Sequence, residues 1–265
     1  MFAAIAHLAR LLRIARVFAR HDALFPLEHA GASPVIVAIA RAISRRAAPG
    51  RPGERLAAAR EGVGPSFSKL GQALSVRSDV IGEELADDLA TLQDRLPPLP
   101  GGTARASIEA ELDAPVDEIF ASFDDTPVAA ASIAQVHFAI TTQGDAVAVK
   151  VLRPGIEARF QRDIDLLLWL ARLVERTRPA LRRLRPLDVV RTFEATVNTE
   201  MDLRLEAAAA SELRENSADD ENFRVPDVDW TRTGRTVMTM ERVDGIRIDA
   251  VDSLKSGSAA CRERV

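Results

Sequence analysis

A proline- and glycine-rich break, LPPLPGG at residues 96–102, separates two parts of this chain that follow different periodicities. Before the break, apolar residues recur at helical spacing, whereas after about residue 117 they come in short, strand-like runs. Proline and glycine together interrupt regular structure, so neither a helix nor a strand is expected to run through this segment. The chain is therefore expected to fold as a helical section followed by a section that contains a sheet.

The helical section is predicted to begin with a basic amphipathic helix over residues 2–20. Its arginines recur at spacings of three and four and form one positive stripe: Arg10, Arg13, Arg16 and Arg20. Apolar residues occupy another side: Phe2, Ile5, Leu8, Leu12 and Ala15. Such a helix suits the interface of an anionic bilayer, and the alternative is a helix that packs on the protein with solvated arginines. Further helical patterns cover residues 34–48, 54–61, 65–77 and 82–93.

The second section has the element order of an α+β fold. Strands are predicted near 119–123, 133–140 and 145–152, and the sequence TTQGD at 141–145 predicts a hairpin turn with Gly144 at its tip. Helices are predicted at about 156–178 and 187–215, and two further strands near 223–230 and 235–241. Three strands, helices and then two strands predict an antiparallel sheet with helices packed on it.

Composition narrows the classes of function. One cysteine, Cys261, excludes a disulfide framework within the chain and a cysteine-based zinc site, which fits a reducing compartment. No long apolar window predicts a transmembrane helix, and no secretory signal is recognised. Residues 1–60 carry a net charge of +7 and the remainder −11, which favours attraction to an anionic surface. Tyrosine is absent and no nucleic-acid motif occurs, so no nucleic acid is expected as a partner.

The sequence VAVK at 147–150 places Lys150 at the end of an alternating strand. Across the hairpin, on the first two strands, lie four small residues: Ala129, Ala130, Ala131 and Ser132. In protein kinases a glycine-rich loop at this position covers the phosphates, and a V-A-I-K lysine pairs them and a helix glutamate. Alanine still permits close backbone approach, with less freedom than glycine. The alternative is an ordinary hairpin with a solvated lysine.

A kinase-like lysine needs a carboxylate on a helix. The sequence TEMDLRLEAAAA at 199–210 supplies Glu200, Asp202 and Glu206, and a single helix would place Asp202 and Glu206 on one face. Charges on a helix usually face solvent, but this helix is otherwise apolar or alanine-rich from 203 to 210, which favours packing on that side. A second polar motif, K-x-G-Q at 69–72, puts a glycine inside a predicted helix, where it costs about 1 kcal/mol relative to alanine. Gly71 thus predicts either close helix packing or a nearby ligand.

Four motifs resemble, in their order and separations along the chain, those of the UbiB/AarF family of atypical protein-kinase-like proteins. They are K-x-G-Q at 69–72, the four small residues at 129–132, VAVK at 147–150 and TEMDLRLEAAAA at 199–210. The resemblance covers about residues 55–250 and implies a kinase-like N-lobe that binds ATP and Mg²⁺. It implies that Lys69 and Gln72 lie near the phosphates, with Glu200 and Asp202 facing them, and that Lys150 pairs with Glu206 and contacts the phosphates. It further implies that residues 129–132 cover the nucleotide. Finally, it implies a hinge that reads adenine: Met240, Glu241 and Val243.

By the same resemblance the chain divides into four segments. They are an amphipathic helical segment (1–50), a helical K-x-G-Q extension (51–115), a kinase-like N-lobe (116–248) and a truncated start of the C-lobe (249–265). Neither the H-x-D…N catalytic loop nor the D-F-G metal triplet of the family occurs in the sequence. We therefore assign no catalytic or metal-binding residue and expect the chain alone to hold Mg²⁺ weakly, if at all, and to lack kinase activity.

The resemblance also implies a role for a bacterial protein in ubiquinone biosynthesis, in the cytoplasm and peripheral at the inner membrane face. Expected partners are a membrane lipid surface and either ubiquinone-biosynthesis proteins or a separate C-lobe chain. The alternative is a membrane-associated scaffold without enzymatic activity that binds lipid or other biosynthetic proteins through residues 1–100.

Overall fold

A computed structural model of the chain describes residues 2–23 and 102–245 and, between them, residues 55, 59, 63, 64, 66, 67, 69, 71, 75, 83 and 99. The predicted helix at 34–48 and the predicted C-lobe segment 249–265 lie outside the described residues. The predicted helices at 54–61, 65–77 and 82–93 are described only at single positions. Those positions within 65–77 are helical, as predicted: Ser66, Phe67, Lys69, Gly71 and Ser75.

The described elements comprise both helices and strands. The α-helices are α1 (Phe2–Arg20), α2 (Thr103–Leu112), α3 (Val116–Ile119), α4 (Ile156–Thr177), α5 (Pro186–Glu200) and α6 (Leu203–Asn216). The strands are β1 (Phe120–Phe123), β2 (Ala129–Ala130), β3 (Ala134–Thr141), β4 (Ala146–Leu152) and β5 (Val237–Glu241). Two 3₁₀ helices cover Pro179–Leu184 and Trp230–Arg232. None of the described helices has both the length and the apolar character that crossing a membrane requires.

The chain forms two compact units, each discontinuous in sequence. The first comprises residues 1–96 and 157–192, and the second comprises residues 97–156 and 193–265. The four sequence segments predicted above are continuous, and their boundaries stay predictions.

The second unit is built on a five-stranded antiparallel sheet, which confirms the predicted α+β fold class. The strand order is β1-β3-β4-β5, and β2 pairs with the other end of β3. One face of β3 and β4 is fully buried, and its aliphatic side chains pack with Ile108 of α2 and with Val116 and Ile119 of α3. The alternating burial follows from the two-residue period of a strand, so the opposite face of the same strands stays half-buried.

The hairpin between β3 and β4 forms as the sequence predicts. Gly144 has a φ of +97°, a conformation that costs glycine little. The Gly144 N–H donates to the Thr141 carbonyl (3.0 Å), and the Thr141 N–H donates to the Asp145 carbonyl (2.9 Å). This turn fixes the register of the two strands and thereby the face on which Lys150 lies.

A second glycine in this unit allows a close approach between distant segments. The Glu111 carboxylate of α2 accepts hydrogen bonds from the Arg235 N–H (2.5 Å) and the Thr236 hydroxyl (2.6 Å). A Cβ on Gly234 would lie only 2.7 Å from Glu111 Cγ, which is closer than side-chain atoms tolerate. Gly234 therefore leaves room for Glu111 of α2 to accept the hydrogen bond from the backbone N–H just before β5.

The first unit packs α1 against α4 around a buried charge. Asp163 of α4 is 2% exposed, pairs with Arg10 of α1 and accepts a hydrogen bond from the Ser66 hydroxyl (2.5 Å). The ring of His7 stacks on Trp169, 5.6 Å between centroids. Moving forward along α1, from His7 to Arg10, corresponds to moving backward along α4, so the two helices run antiparallel.

Two predicted elements differ from the structure. The single helix predicted over 187–215 is wrong, because Met201 and Asp202 separate α5 from α6. Asp202 accepts a hydrogen bond from the Arg204 N–H (3.2 Å), which makes it the N-cap of α6. The Leu203 N–H donates instead to the Arg235 carbonyl (2.9 Å). The break thus replaces helical hydrogen bonds with a cap and a tertiary bond.

The strand predicted near 223–230 is also wrong. Val228 makes one isolated bridge with Met240. Asp229 then caps the short 3₁₀ helix by accepting from the Thr231 N–H (3.0 Å) and pairs with Arg232 (2.6 Å). Local side-chain hydrogen bonds of an aspartate compete with a strand ladder and here replace it.

Candidate nucleotide site

Lys150 and Glu206 are brought together in the second unit, although 56 positions separate them in sequence. Lys150 Nζ lies 2.5 Å from Glu206 Oε1 and 2.7 Å from Oε2, so the ammonium contacts both carboxylate oxygens. The hairpin register fixes Lys150 on β4, and the N-cap at Asp202 places Glu206 in the first turn of α6. Both side chains keep partial solvent access, and the pair can therefore receive a charged ligand.

The sheet face around Lys150 offers a largely apolar surface. Lys150 lies in register with Val136 of β3 and Met238 of β5, and the next row along the strands is Phe138, Ala148 and Met240. Most of these side chains are half-buried, whereas the opposite face of β3 and β4 is fully buried. The Arg242 guanidinium lies over the Phe138 ring, 4.0 Å from its centroid. One row of this face therefore carries a cation and the adjacent row carries apolar side chains.

The Ala129–Ser132 segment comprises β2 and the start of the tight turn that leads into β3. The Ala131 N–H donates to the Ala134 carbonyl (2.8 Å), and Arg153, just after β4, donates from Nε to the Ala131 carbonyl (3.1 Å). Ala129 and Ala131 are exposed, Ala130 is half-buried, and Ser132 is buried. The turn is thus tied to the strand that carries Lys150.

A buried chain of hydrogen bonds lies on the covered face of β3. The Leu99 N–H donates to Gln135 Oε1 (3.1 Å), and Gln135 Nε2 donates to His137 Nε2 (2.7 Å). His137 Nδ1 then donates to the Asp124 carbonyl (2.8 Å), at the start of the segment that leads into β2. Burial lowers the pKa of His137 below its ordinary value, although the hydrogen bond to Asp124 opposes that shift. A neutral imidazole therefore holds the segment before the turn.

Sequence reasoning did not single out Gln135 or His137. The signal was present in the strand period, because these two polar residues stand two positions apart and so share one face of β3. A polar pair on the buried face of an apolar strand indicates a hydrogen-bonded network. Asp163 was missed as well, since a single acidic residue in an amphipathic helix pattern does not reveal whether it is buried.

The other predicted carboxylates lie at the break between α5 and α6. Glu200 is the last residue of α5 and is half-buried. The Asp202 carboxylate is bound by Arg204 on two atoms, at 2.9 Å to Nε and 2.6 Å to Nη2. The hydrogen bonds from Arg204 hold the pKa of Asp202 below its ordinary value, despite partial desolvation. A direct role of either carboxylate toward phosphate stays a prediction.

The predicted hinge residues lie at the end of β5. Met240 and Glu241 are its last two residues and are half-buried, whereas Val243 is exposed. Glu241 is paired with Arg224, and the Arg242 N–H donates to the Ala146 carbonyl (3.1 Å). This strand end adjoins the apolar row that contains Ala148.

The K-x-G-Q residues belong to the first compact unit. Lys69 is helical and half-buried, Gly71 is helical and buried, and Gln72 lies outside the described residues. The burial of Gly71 fits the interpretation that close packing requires a glycine there. Proximity of Lys69 and Gln72 to a nucleotide stays a prediction.

The part of the chain that the structure describes contains no cluster of potential metal ligands. No three side chains of His, Cys, Asp or Glu converge there in a way that could hold an ion. We therefore assign none of the described residues to Mg²⁺.

Comparison with known proteins indicates the family of this chain. Residues 91–263 match the family model described as the ABC1 atypical kinase-like domain. The chain is 41% identical to a probable protein kinase UbiB of Marinobacter nauticus, over 96% of this chain and 47% of that protein. It is 46% identical to a probable protein kinase UbiB of Xanthomonas campestris pv. campestris, over 82% of this chain and 40% of that protein.

A solved structure gives a similar result. The Mycobacterium tuberculosis protein Rv3197, determined in complex with erythromycin, is similar with a TM-score of 0.54 and 31% identity, over 75% of this chain and 49% of that one. The chain thus spans less than half of the length of these relatives.

Proposed function

Because this chain belongs to the UbiB family of ABC1 atypical kinase-like proteins, we propose that it contributes the nucleotide-binding N-lobe of a UbiB-type atypical kinase or ATPase that supports ubiquinone biosynthesis at the membrane. The observation that carries the proposal is the Lys150–Glu206 ion pair, at 2.5 Å, between the strand of V-A-V-K and the first turn of α6. A lysine paired in this way contacts nucleotide phosphates in protein kinases.

The residues present fit ATP. An adenine base needs an apolar surface, which Ala148 and Met240 supply, and phosphates need a cation one row away, which Lys150 supplies. The segment at 129–132 has small side chains, so its backbone can approach the phosphates closely. Bound ATP would supply the phosphoryl group, while Lys150 binds its phosphates and Glu206 orients the lysine.

Turnover is not part of the proposal for these 265 residues alone. Phosphoryl transfer needs carboxylate metal ligands and a group that positions the nucleophile, and the sequence contains neither H-x-D…N nor D-F-G. A robust ATPase rate that Lys150→Ala abolishes would contradict this part.

Nucleotide-dependent thermal stabilisation of the full chain tests the proposal. A ligand present at about a hundred times its Kd stabilises a protein by about 2.7 kcal/mol, so ATP is expected to raise the Tm. Lys150→Ala is expected to remove that increase. Arg214→Ala is the matched control, since it also breaks an ion pair of α6, with Asp227, about 12 Å further along the helix. An equal increase for all three proteins would overturn nucleotide binding at Lys150.

A second candidate function, a lipid- or partner-binding scaffold, is favoured by one observation on α1. Its apolar side chains Ile5, Leu8 and Leu12 are 58%, 53% and 63% exposed, while Arg10 faces α4. An exposed apolar row beside the exposed arginines Arg13, Arg16 and Arg20 suits an anionic bilayer interface. Replacing the three apolar residues with serine leaves the Arg10–Asp163 pair intact and is expected to weaken binding to anionic vesicles at least tenfold.

A further inference from the structure

The connection between α4 and α5, residues 178–185, is basic and exposed along its whole length. Its sequence, RPALRRLR, contains four arginines and no acidic residue, and the 3₁₀ helix Pro179–Leu184 within it buries no residue. We call this segment the arginine-rich connection. It lies within the first compact unit.

The 3₁₀ geometry sorts the side chains of this segment into rows. A 3₁₀ helix has three residues per turn, so side chains three positions apart eclipse one another. Leu181 and Leu184 therefore form one row, and Arg182 and Arg183 begin the rows on either side. The two leucines are 37% and 59% exposed. The result is a short apolar ridge with guanidinium groups on both flanks.

Among the described residues, the charges of the arginine-rich connection are only partly paired. Arg185 pairs with Asp188 (2.7 Å), and Arg182 donates from Nε to the Glu175 carbonyl (2.7 Å). Arg178 and Arg183 make no ion pair among the residues that the structure describes. Exposed leucines beside arginines that have no acidic partner among the described residues have the composition of a surface that enters an anionic lipid interface.

Two further observations support that choice of partner. α1 and α4 run antiparallel, so the first residues of α1, with exposed Ile5 and Leu8, lie toward the end of α4 from which the connection leaves. The first unit also carries a net charge of +7, against −11 for the second. An anionic surface is therefore attracted to the unit that presents these apolar side chains.

We propose that the arginine-rich connection is a membrane-contact site, in which Leu181 and Leu184 enter the headgroup region of an anionic bilayer while Arg178, Arg182 and Arg183 bind lipid phosphates. This site would be a second membrane contact, in addition to the one proposed for α1. Our identification of the partner as a bilayer, and not another polyanion, rests on the membrane role proposed above. Nucleic acid could engage the arginines but would offer the leucine pair no apolar layer to enter.

Vesicle co-sedimentation of the full chain tests the site, with phosphatidylcholine vesicles and vesicles that also contain phosphatidylglycerol. The parent chain is expected to bind the second kind only. Leu181→Ser with Leu184→Ser is expected to weaken binding about tenfold, since apolar burial is lost while every charge remains. Arg178→Gln with Arg183→Gln is expected to weaken it about fivefold for each arginine.

Leu213→Ser is the matched control, because Leu213 is 49% exposed but lies on α6 in the second unit. It is expected to bind like the parent. A Leu184→Trp variant gives a direct readout: its added fluorescence is expected to shift to shorter wavelength with anionic vesicles and to stay unchanged with neutral ones.

Several outcomes would overturn the site. They are equal binding to neutral vesicles, a leucine pair variant that binds like the Leu213→Ser control, and added fluorescence of the Leu184→Trp variant that does not shift with anionic vesicles. Loss of binding only in the α1 serine variant would leave the α1 contact standing and remove this one.

Arginine variants that lose binding to a single-stranded oligonucleotide but not to vesicles would point to a different polyanion. ATP-dependent stabilisation is measured separately, so its failure would leave this result unaffected.

Discussion

At the scale of single residues, Asp163 shows how one buried carboxylate joins distant parts of the first unit. It pairs with Arg10 of α1 and accepts a hydrogen bond from the hydroxyl of the helical residue Ser66. Breaking a buried ion pair leaves the other group desolvated and unpaired, which costs more than the pair contributes. The stability of this unit is therefore expected to be sensitive to this position.

Asp163→Ala is expected to lower the free energy of unfolding by about 3 kcal/mol, measured by urea denaturation. Asp163→Asn keeps an acceptor for the Ser66 hydroxyl and is expected to fall between the alanine variant and the parent. Asp165→Ala removes an exposed carboxylate two positions away and is expected to change stability by less than about 0.5 kcal/mol. Equal losses for Asp163→Ala and Asp165→Ala would show that the buried pair is not stabilising.

His137 gives the second unit a pH-dependent stability. Its pKa is lowered in the fold, chiefly by burial, so the unfolded chain binds a proton more readily than the folded one. The contribution of neutral His137 to the free energy of unfolding is complete above about pH 6.5. It is lost as the pH falls below that value, at no more than about 1.4 kcal/mol per pH unit. When the pH is lowered from about 8 to about 5, the free energy of unfolding is expected to decline less steeply for His137→Phe than for the parent.

At the scale of elements, the start of α6 depends on its cap. Asp202 accepts from the Arg204 N–H and also pairs with the Arg204 side chain. Asp202→Ala is expected to destabilise the chain by about 1 kcal/mol, measured by thermal unfolding. Asp202→Asn retains the cap and loses only an exposed ion pair, so it is expected to cost less than half as much. Glu206 lies one turn on, and nucleotide affinity is expected to fall with the alanine variant only.

The same region shows how far the sequence predicts this fold. The hairpin was predictable because Gly144 is required by the turn itself. The break at Met201 and Asp202 was not, because apolar residues continue at helical spacing through it and the Leu203 N–H is satisfied by Arg235, 32 positions away. The strand expected near 223–230 failed for a local reason, the cap formed by Asp229. Pairing of Lys150 with Glu206 followed from family resemblance, since neither residue's own neighbourhood indicates its partner.

At the scale of the whole molecule, the unequal charge of the two units predicts that the proposed membrane binding depends strongly on salt. The first unit, at +7, would approach an anionic bilayer and the second, at −11, would be repelled by it. The affinity for anionic vesicles is expected to fall at least tenfold between about 0.01 M and 0.15 M salt, as the Debye length shortens from about 30 Å to about 8 Å. ATP-dependent stabilisation by the partly exposed Lys150 is expected to weaken less over this range. Vesicle binding that is independent of salt would show that apolar insertion alone drives it.

The close approach of Gly234 and Glu111 has a consequence for how this sequence can diverge. The glycine leaves room for a glutamate whose carboxylate binds the Arg235 N–H and the Thr236 hydroxyl. A side chain at 234 would displace that carboxylate unless position 111 became shorter at the same time. Among relatives, the two positions are therefore expected to vary as a linked pair, although 123 residues separate them along the chain.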